Sequence, residues 1–356
     1  MIIENKQESE NKMNKKGQFN DERGFGVEIE FIRPRGTSKQ DICDALTLTC
    51  NVEGYNHITR PNWKIVNDVS VSANGRRGYV GENELVSPIL YGEDGFAQLK
   101  QILDTLNELE CKVNYTCGIH VHHDVTNMMV QGKEKSQKFL ANLVKFVAKY
   151  EHLIYKLVSP SRLDNRYYST PVRREYFGYD YDVSKNDVKK MISKVKRDCN
   201  RKYNTNGNAI DRYQPSPNVQ TNRACGLNFR NVWTRGAVEF RYHNGSLNFD
   251  KIVSWVVFTQ AIINAVEDTK SVAMSFVPNN IKGLASLRGA IGFIRRSGME
   301  PTERTIFSRD ERVNSANKYV QKRYKELSRR EADYELNRHY VFVKNGLTTN
   351  QQGGLA

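Results

Sequence analysis

Between Tyr115 and Asp124 the chain reads YTCGIHVHHD, with His120, His122 and Asp124 at every second position. Along a strand successive side chains point to opposite faces, so these three share one face while Ile119 and Val121 take the other. Two imidazoles and a carboxylate side by side can ligate metal and move protons. The same alternation recurs elsewhere. In FGVEIEF, Glu28 and Glu30 oppose Phe25, Val27, Ile29 and Phe31; in YVGENELVSP, Glu82 and Glu84 share a face; in GAVEFRYHNG, Ala237, Glu239, Arg241 and His243 oppose Val238, Phe240 and Tyr242. Carboxylates from three strands beside imidazoles repel one another unless a cation lies between them. Mg2+ or Mn2+ answers that need, because hard divalent ions take oxygen ligands, accept an occasional imidazole and leave positions open for phosphate oxygens. Arg230 and Arg241 would then neutralise phosphoryl charge through bidentate guanidinium contacts that lysine cannot make.

Groups spread this far along the chain need a sheet to bring them together. Strand patterns occur in FGVEIEF, which Pro34 ends, and in a hairpin made of WKIVNDVSV, a Gly/Arg-rich turn at Asn74 to Gly78, and YVGENELVSP, which Pro88 closes. They return in the histidine stretch, in CGLNFRNVW and in GAVEFRYHNG. Helical spacing marks FAQLKQILDTLNELE, SQKFLANLVKFVAKYEHLIYKLV and FDKIVSWVVFTQAIINAVED. The pattern predicts an α+β fold, a mainly antiparallel sheet with one face under helices and the other open and polar. The open face is expected to carry Glu28, Glu30, Glu82 or Glu84, His120, His122, Asp124, Glu239, Arg241 and His243.

A chain of 356 residues with 38% hydrophobic and 10% aromatic content can bury a substantial core. No apolar run of the roughly 18 residues needed for a membrane span is evident, and the first residues lack the apolar centre of a signal peptide, so a cytoplasmic protein is expected. The six cysteines show no CxxC spacing and read as free thiols; Cys117 faces away from His120 and receives no role. Lys and Arg total 54 against 40 Asp and Glu, a net charge of +14 that favours a polyanionic partner or a phosphate-bearing ligand. Three regions are expected: a disordered lead over 1–23; a main domain over 24–300 with a basic, Tyr- and Asn-rich insert at about 161–222; and a charged helical extension over 301–356, exposed along RVNSANKYVQKRYKELSRREADYEL and flexible at its end.

The motifs GVEIEF, ENELVSPIL, CGIHVHHD and AVEFRYHNGSLN, in this order, resemble the amidoligases of the carboxylate–amine ligase superfamily, relatives of glutamine synthetase and glutamate–cysteine ligase. The resemblance spans about residues 24–266, the insert excepted. It implies a curved, glutamine synthetase-like catalytic sheet and an ATP- and Mg2+-dependent (or Mn2+-dependent) ligase that joins a carboxylate to an amine through an acyl phosphate. The substrates would be an amino acid, a peptide or a protein. By the same resemblance Glu28 and Glu30 match a metal-binding acid pair, Glu84 the acid before Ser-Pro, and Glu239 the last metal carboxylate. His120 and His122 match imidazoles beside metal and nucleotide phosphate, with His120 among the metal ligands and His122 catalytic. Arg241 matches the arginine at the acyl or phosphoryl group, and Arg230 is placed with it at the nucleotide. Asp68, Ser70, Arg223 and Asn228 take weaker substrate-binding roles. Either Glu82 or Glu84 could be the ligand; Glu84 holds the motif position. The insert is the candidate lid, with Arg162, Arg166, Arg173 and Arg174 as anion contacts. Two other readings compete: a mononuclear two-His-carboxylate enzyme on a β-barrel, against which Thr126, Asn127 and Met128 stand where an acid is usual, and a nucleic-acid-binding protein using the basic insert.

Overall fold

Alternation of buried and polar side chains builds the central strand, β1 (Phe25–Pro34), in the computed structural model, which describes residues 17–56, 58–162, 169–177, 185–200, 225–267, 269–294 and 310–344. Around it lie β2 (Cys50–Val52), β3 (Trp63–Val66), β4 (Tyr79–Val86), β5 (Gly118–Asp124), β6 (Leu227–Asn228) and β7 (Ala237–Asn244). They form one seven-stranded sheet in the order β2-β3-β4-β1-β5-β7-β6, antiparallel throughout except for the parallel pair β2 and β3. The fold is α+β. Among the described residues β2 and β6 each pair with one strand only and the sheet is not closed, contrary to the barrel required by the two-His-carboxylate reading.

One face is covered by helices. Phe25, Val27, Ile29, Phe31, Ile119, Val121, Val238 and Phe240 are buried in a single core with α1 (Gly92–Glu108), α2 (Lys133–Tyr155) and α3 (Phe249–Glu267). Each such side chain contributes about 1.5–3 kcal/mol by leaving water. Helix α3 has the length and composition of a membrane span, contrary to the sequence reading, yet it is mostly buried and its Thr259 accepts or donates at 2.8 Å to His123 of β5. A core helix meets the same apolar requirement as a lipid-facing one.

Several expectations are corrected. Residues 17–23 of the expected lead belong to the folded domain: Phe19 packs on Phe25 and Phe96, and Arg23 forms a buried 2.6 Å ion pair with Glu267. One aromatic residue among charges carries no periodic signal. Between Pro34 and Trp63, where the sequence gives no element, lie a helix, Lys39–Ala45, opened by a Ser38–Asp41 capping box, and the edge strand β2. CGLNFRNVW gives a strand only at Leu227–Asn228, followed by a short helix, Val232–Arg235. The C-terminal helix α4 (Glu311–Lys344) is not merely exposed, since Val313, Ala316, Val320, Tyr324 and Leu327 are buried and it packs on α3.

The described parts of the insert lie against α2 rather than over the open face. The segment Lys185–Asn200 buries Met191, Val195 and Cys199 beside α2. Glu151 of α2 accepts from the amides of Val172 (2.6 Å) and Arg173 (2.9 Å) and from the Tyr242 hydroxyl (2.6 Å), tying the insert to β7. Arg173 donates to the Ala148 carbonyl, and Arg162 is buried with its guanidinium donating to the Cys117 carbonyl at 2.7 Å. Neither lines the open-face cleft, so the structure does not support these two as lid contacts. Arg166 and Arg223, and the side chain of Arg174, lie outside the described residues.

Candidate active site

Strand register assembles the open face. Glu28 of β1 lies opposite His120 of β5 and Val86 of β4; Glu30 lies opposite Glu84; His122 lies opposite Glu239 of β7. The Glu28 carboxylate bonds His120 Nδ1 at 2.9 Å and His122 Nε2 at 3.0 Å. Glu30 accepts from the Gly118 amide at 2.5 Å and lies 3.5 Å from His120 Nε2. Glu239 lies 3.8 Å from His120 Nδ1, accepts from Asn228 Nδ2 at 2.8 Å, and is ion-paired with Arg241.

Three sets of ligand atoms among the described residues are close enough to hold a metal ion: Glu28, Glu84 and His120; Glu28, His122 and Glu239; Glu30, Asp68 and Glu84, each within 4.8 Å. Glu28 and Glu84 each belong to two of them. The donors are mostly carboxylate oxygens with an imidazole in two sets, the composition that suits Mg2+ or Mn2+. The electrostatics agree. Burial disfavours the Glu28 anion, but the His122 and His120 imidazoles hold its carboxyl well below the ordinary range. Glu84 is pushed well above that range by burial and by the charges of Glu28, Glu30 and Asp68. Burial opposes charge at Glu239 and His122 too, yet Arg241 lowers Glu239, and Glu28 and Glu239 raise His122. Mutual repulsion of clustered carboxylates disfavours the charged form at Glu84, and a bound cation would relieve it.

That shift sets a pH dependence. A carboxyl whose pKa is raised by folding destabilises the folded state as pH rises through the folded value. The metal-free protein should therefore lose stability from the ordinary carboxylate range upward, and Mg2+ or Mn2+, which needs the Glu84 anion, should restore it. The gap between metal-loaded and metal-free melting temperatures is expected to widen as pH rises above the ordinary carboxylate range, and to flatten in Glu84→Gln. Thermal unfolding at several pH values checks this.

Two bulges decide which residues reach the face. In β4, Gly81 and Glu82 together oppose Ile32, with Glu82 at φ +59. Glu82 is exposed and apart from the ligand sets; its amide bonds the Val71 carbonyl at 2.7 Å, which holds the turn carrying Asp68. In β7, Arg241 and Tyr242 together oppose His120. Arg241 stays on the open face, but His243 turns to the helices, stacking on Trp255 with ring centroids 5.1 Å apart and bonding Tyr319. His243 is thus removed from the expected open face.

The acids floor a cleft of about 670 Å3. Asp68, Glu28, Glu84, His120, His122, Asp124 and Arg241 line it. Ser70 and Arg230 do not: the Ser70 amide donates to Asp68 Oδ1 at 2.8 Å, and the Arg230 amide to Asn228 Oδ1 at 2.9 Å. Asn228 acts behind the cleft, fixing Glu239. Asn228→Ala is expected to lower metal affinity about 10- to 100-fold, as loss of a ligand's supporting hydrogen bond generally does, and calorimetric Mn2+ titration reads it.

Two lining cations went unread in the sequence. Lys64 is buried on β3 beside Val86, its charge disfavoured by burial and favoured by Glu53. Its phase opposite Trp63 and Ile65 was the available signal. Arg235 ends the short helix before β7 and interacts favourably with Glu28 and Glu239. Only its tertiary position reveals it.

Residues 21–263 match a family model described as "Putative amidoligase enzyme". No curated protein matches the chain. The four motifs that carry the resemblance all fall within the matched residues, and the chain belongs to this amidoligase family.

Proposed function

We propose that the protein is an ATP-dependent ligase that joins a carboxylate to an amine through an acyl phosphate. One observation carries the reading: three overlapping carboxylate-rich ligand sets, sharing Glu28 and Glu84, meet an arginine ion-paired to Glu239 at the base of one cleft. Glu28, Glu30, Asp68, Glu84, His120, His122 and Glu239 would hold two or more Mg2+ or Mn2+ ions, which, when bound, shield phosphate charge and order the triphosphate.

The protein's own groups do the rest. Arg241, held firmly protonated by Glu239 and Glu28 despite burial, offers a fixed positive charge to a γ-phosphoryl group as it transfers. Its bond to Glu239 keeps the fork oriented before substrate arrives. Glu28 and Glu239 raise the pKa of His122 against the effect of burial, which favours its charged form as a hydrogen-bond donor to a phosphate oxygen. Arg235 and Lys64 add positive charge at the cleft walls for anionic substrates. A carboxylate is a poor electrophile; its attack on the γ-phosphoryl group would release ADP and give an acyl phosphate, a good electrophile, from which an amine then displaces phosphate to leave the amide.

The test is release of ADP and phosphate in the presence of Mg2+ or Mn2+ with a panel of amino acids, peptides and polyamines. Amine-dependent turnover is the expected result. Stoichiometric iron in the purified protein, with no nucleotide binding, would overturn the reading.

A further inference from the structure

We propose that one substrate of this cleft presents its reacting group on an amino-acyl residue with a bulky apolar side chain, which seats against Tyr55, Ile58, Val69 and Ile89. This rests on the ligase reading above. Of the ten large apolar side chains exposed among the described residues, these four line the one cleft that holds the acids. Exposed apolar groups scattered singly need no explanation, but four that line one charged cleft mark a binding surface.

The wall is built rather than loose. Lys64 Nζ donates to Asn56 Oδ1 at 2.5 Å and to the Ile58 carbonyl at 2.8 Å, with Glu53 at 3.9 Å. Glu53 in turn accepts from Asn56 Nδ2 at 2.8 Å and from Arg60 Nε at 2.9 Å. One buried lysine, in the same strand row as Val86 and Glu28, therefore fixes the segment that displays Tyr55 and Ile58. Of the other two lining residues, Ile89 follows β4 and Val69 is the chain neighbour of Asp68 of the acid set.

One position of the cleft lining on β1 lacks a side chain: on the open face β1 reads Gly26, Glu28, Glu30, and a Cβ at Gly26 would meet only Ser87 at 3.6 Å and His122 at 3.7 Å, ordinary contact distances. Neither crowding within the chain nor a positive φ calls for glycine there. A strand glycine without an internal reason fits close approach of a ligand.

A small polar amino acid or ammonia gains nothing from such a wall. An apolar side chain does, with its ammonium drawn to the acids near Asp68 or its carboxylate to Arg241 and Arg235. The nucleobase of the co-substrate is the rival occupant. Three of the four wall residues are aliphatic or carry no ring, whereas a base calls for ring faces to stack on.

Calorimetry of the Mg2+-loaded full chain with N-acetyl-L-leucine against N-acetylglycine, and L-leucinamide against glycinamide, tests the proposal and separates a carboxylate source from an amine source. At least one leucine derivative is expected to bind ten-fold or more tighter than its glycine counterpart, roughly the discrimination an apolar pocket supplies. Ile58→Ser and Ile89→Ser, both at exposed positions and without added charge, should each abolish that preference while leaving Mg2+ affinity and melting temperature unchanged. Equal affinity of leucine and glycine derivatives, no binding by either leucine derivative, a preference surviving both substitutions, or loss of adenosine binding in their place would overturn it. Failure here leaves Mg2+-dependent ATP turnover intact; failure of the ligase reading removes that turnover whatever the wall binds.

Discussion

Glu28→Gln is expected to lower ATP-dependent turnover at least about a thousand-fold and to abolish tight Mn2+ binding while the protein stays folded. The reason is its double membership. Glu28 belongs to two of the three ligand sets and bonds both His120 and His122, so losing its charge weakens two sites and frees two imidazoles at once. Glutamine keeps the volume and one acceptor oxygen, which confines the change to charge. The control is Glu82→Gln, which alters an exposed side chain outside every ligand set and should leave turnover near the parent level. Steady-state ADP release with Mn2+ calorimetry on both variants decides the matter; a turnover loss shared equally by the two would sink the site assignment.

Arg241→Ala is expected to lower kcat by about two to three orders of magnitude with a smaller change in metal affinity. Its guanidinium is the cation ion-paired to Glu239 and reaches the cleft, so it acts where charge develops during transfer rather than by holding ions. Arg241→Lys should recover only part of the loss, because an ammonium cannot keep a bidentate grip on a carboxylate and a phosphoryl group together. Measuring kcat and Mn2+ affinity separately distinguishes this from Glu28→Gln, where both should collapse.

The candidate site was legible in the sequence wherever a strand runs regularly. Glu28 and Glu30 on β1, His120 and His122 on β5, and Glu239 on β7 were placed together by period-two alternation alone, and register brings them within bonding distance. Reading failed where an extra residue changes the phase. Glu82 and Glu84 look equivalent until the bulge at Gly81–Glu82 turns one outward, and His243 looks like a member of the acid face until the β7 bulge turns it inward. Arg235 and Lys64 depend on contacts between distant elements, which no local pattern encodes. The helices covering the core were readable from their spacing, whereas Phe19 and the buried stripe of α4 were hidden by charged neighbours.

The offset in β7 separates two fates along one strand. Residues before it answer to the chemistry of the cleft, and residues after it answer to the packing against Trp255 and Tyr319. Pairing the same residues continuously with β5 would leave Arg241 opposite His120 but set His243 opposite Gly118, on the face of the acids. Kinship judged by which residue types are present would not notice such a change; only the pairing of β7 with β5 after Phe240 would.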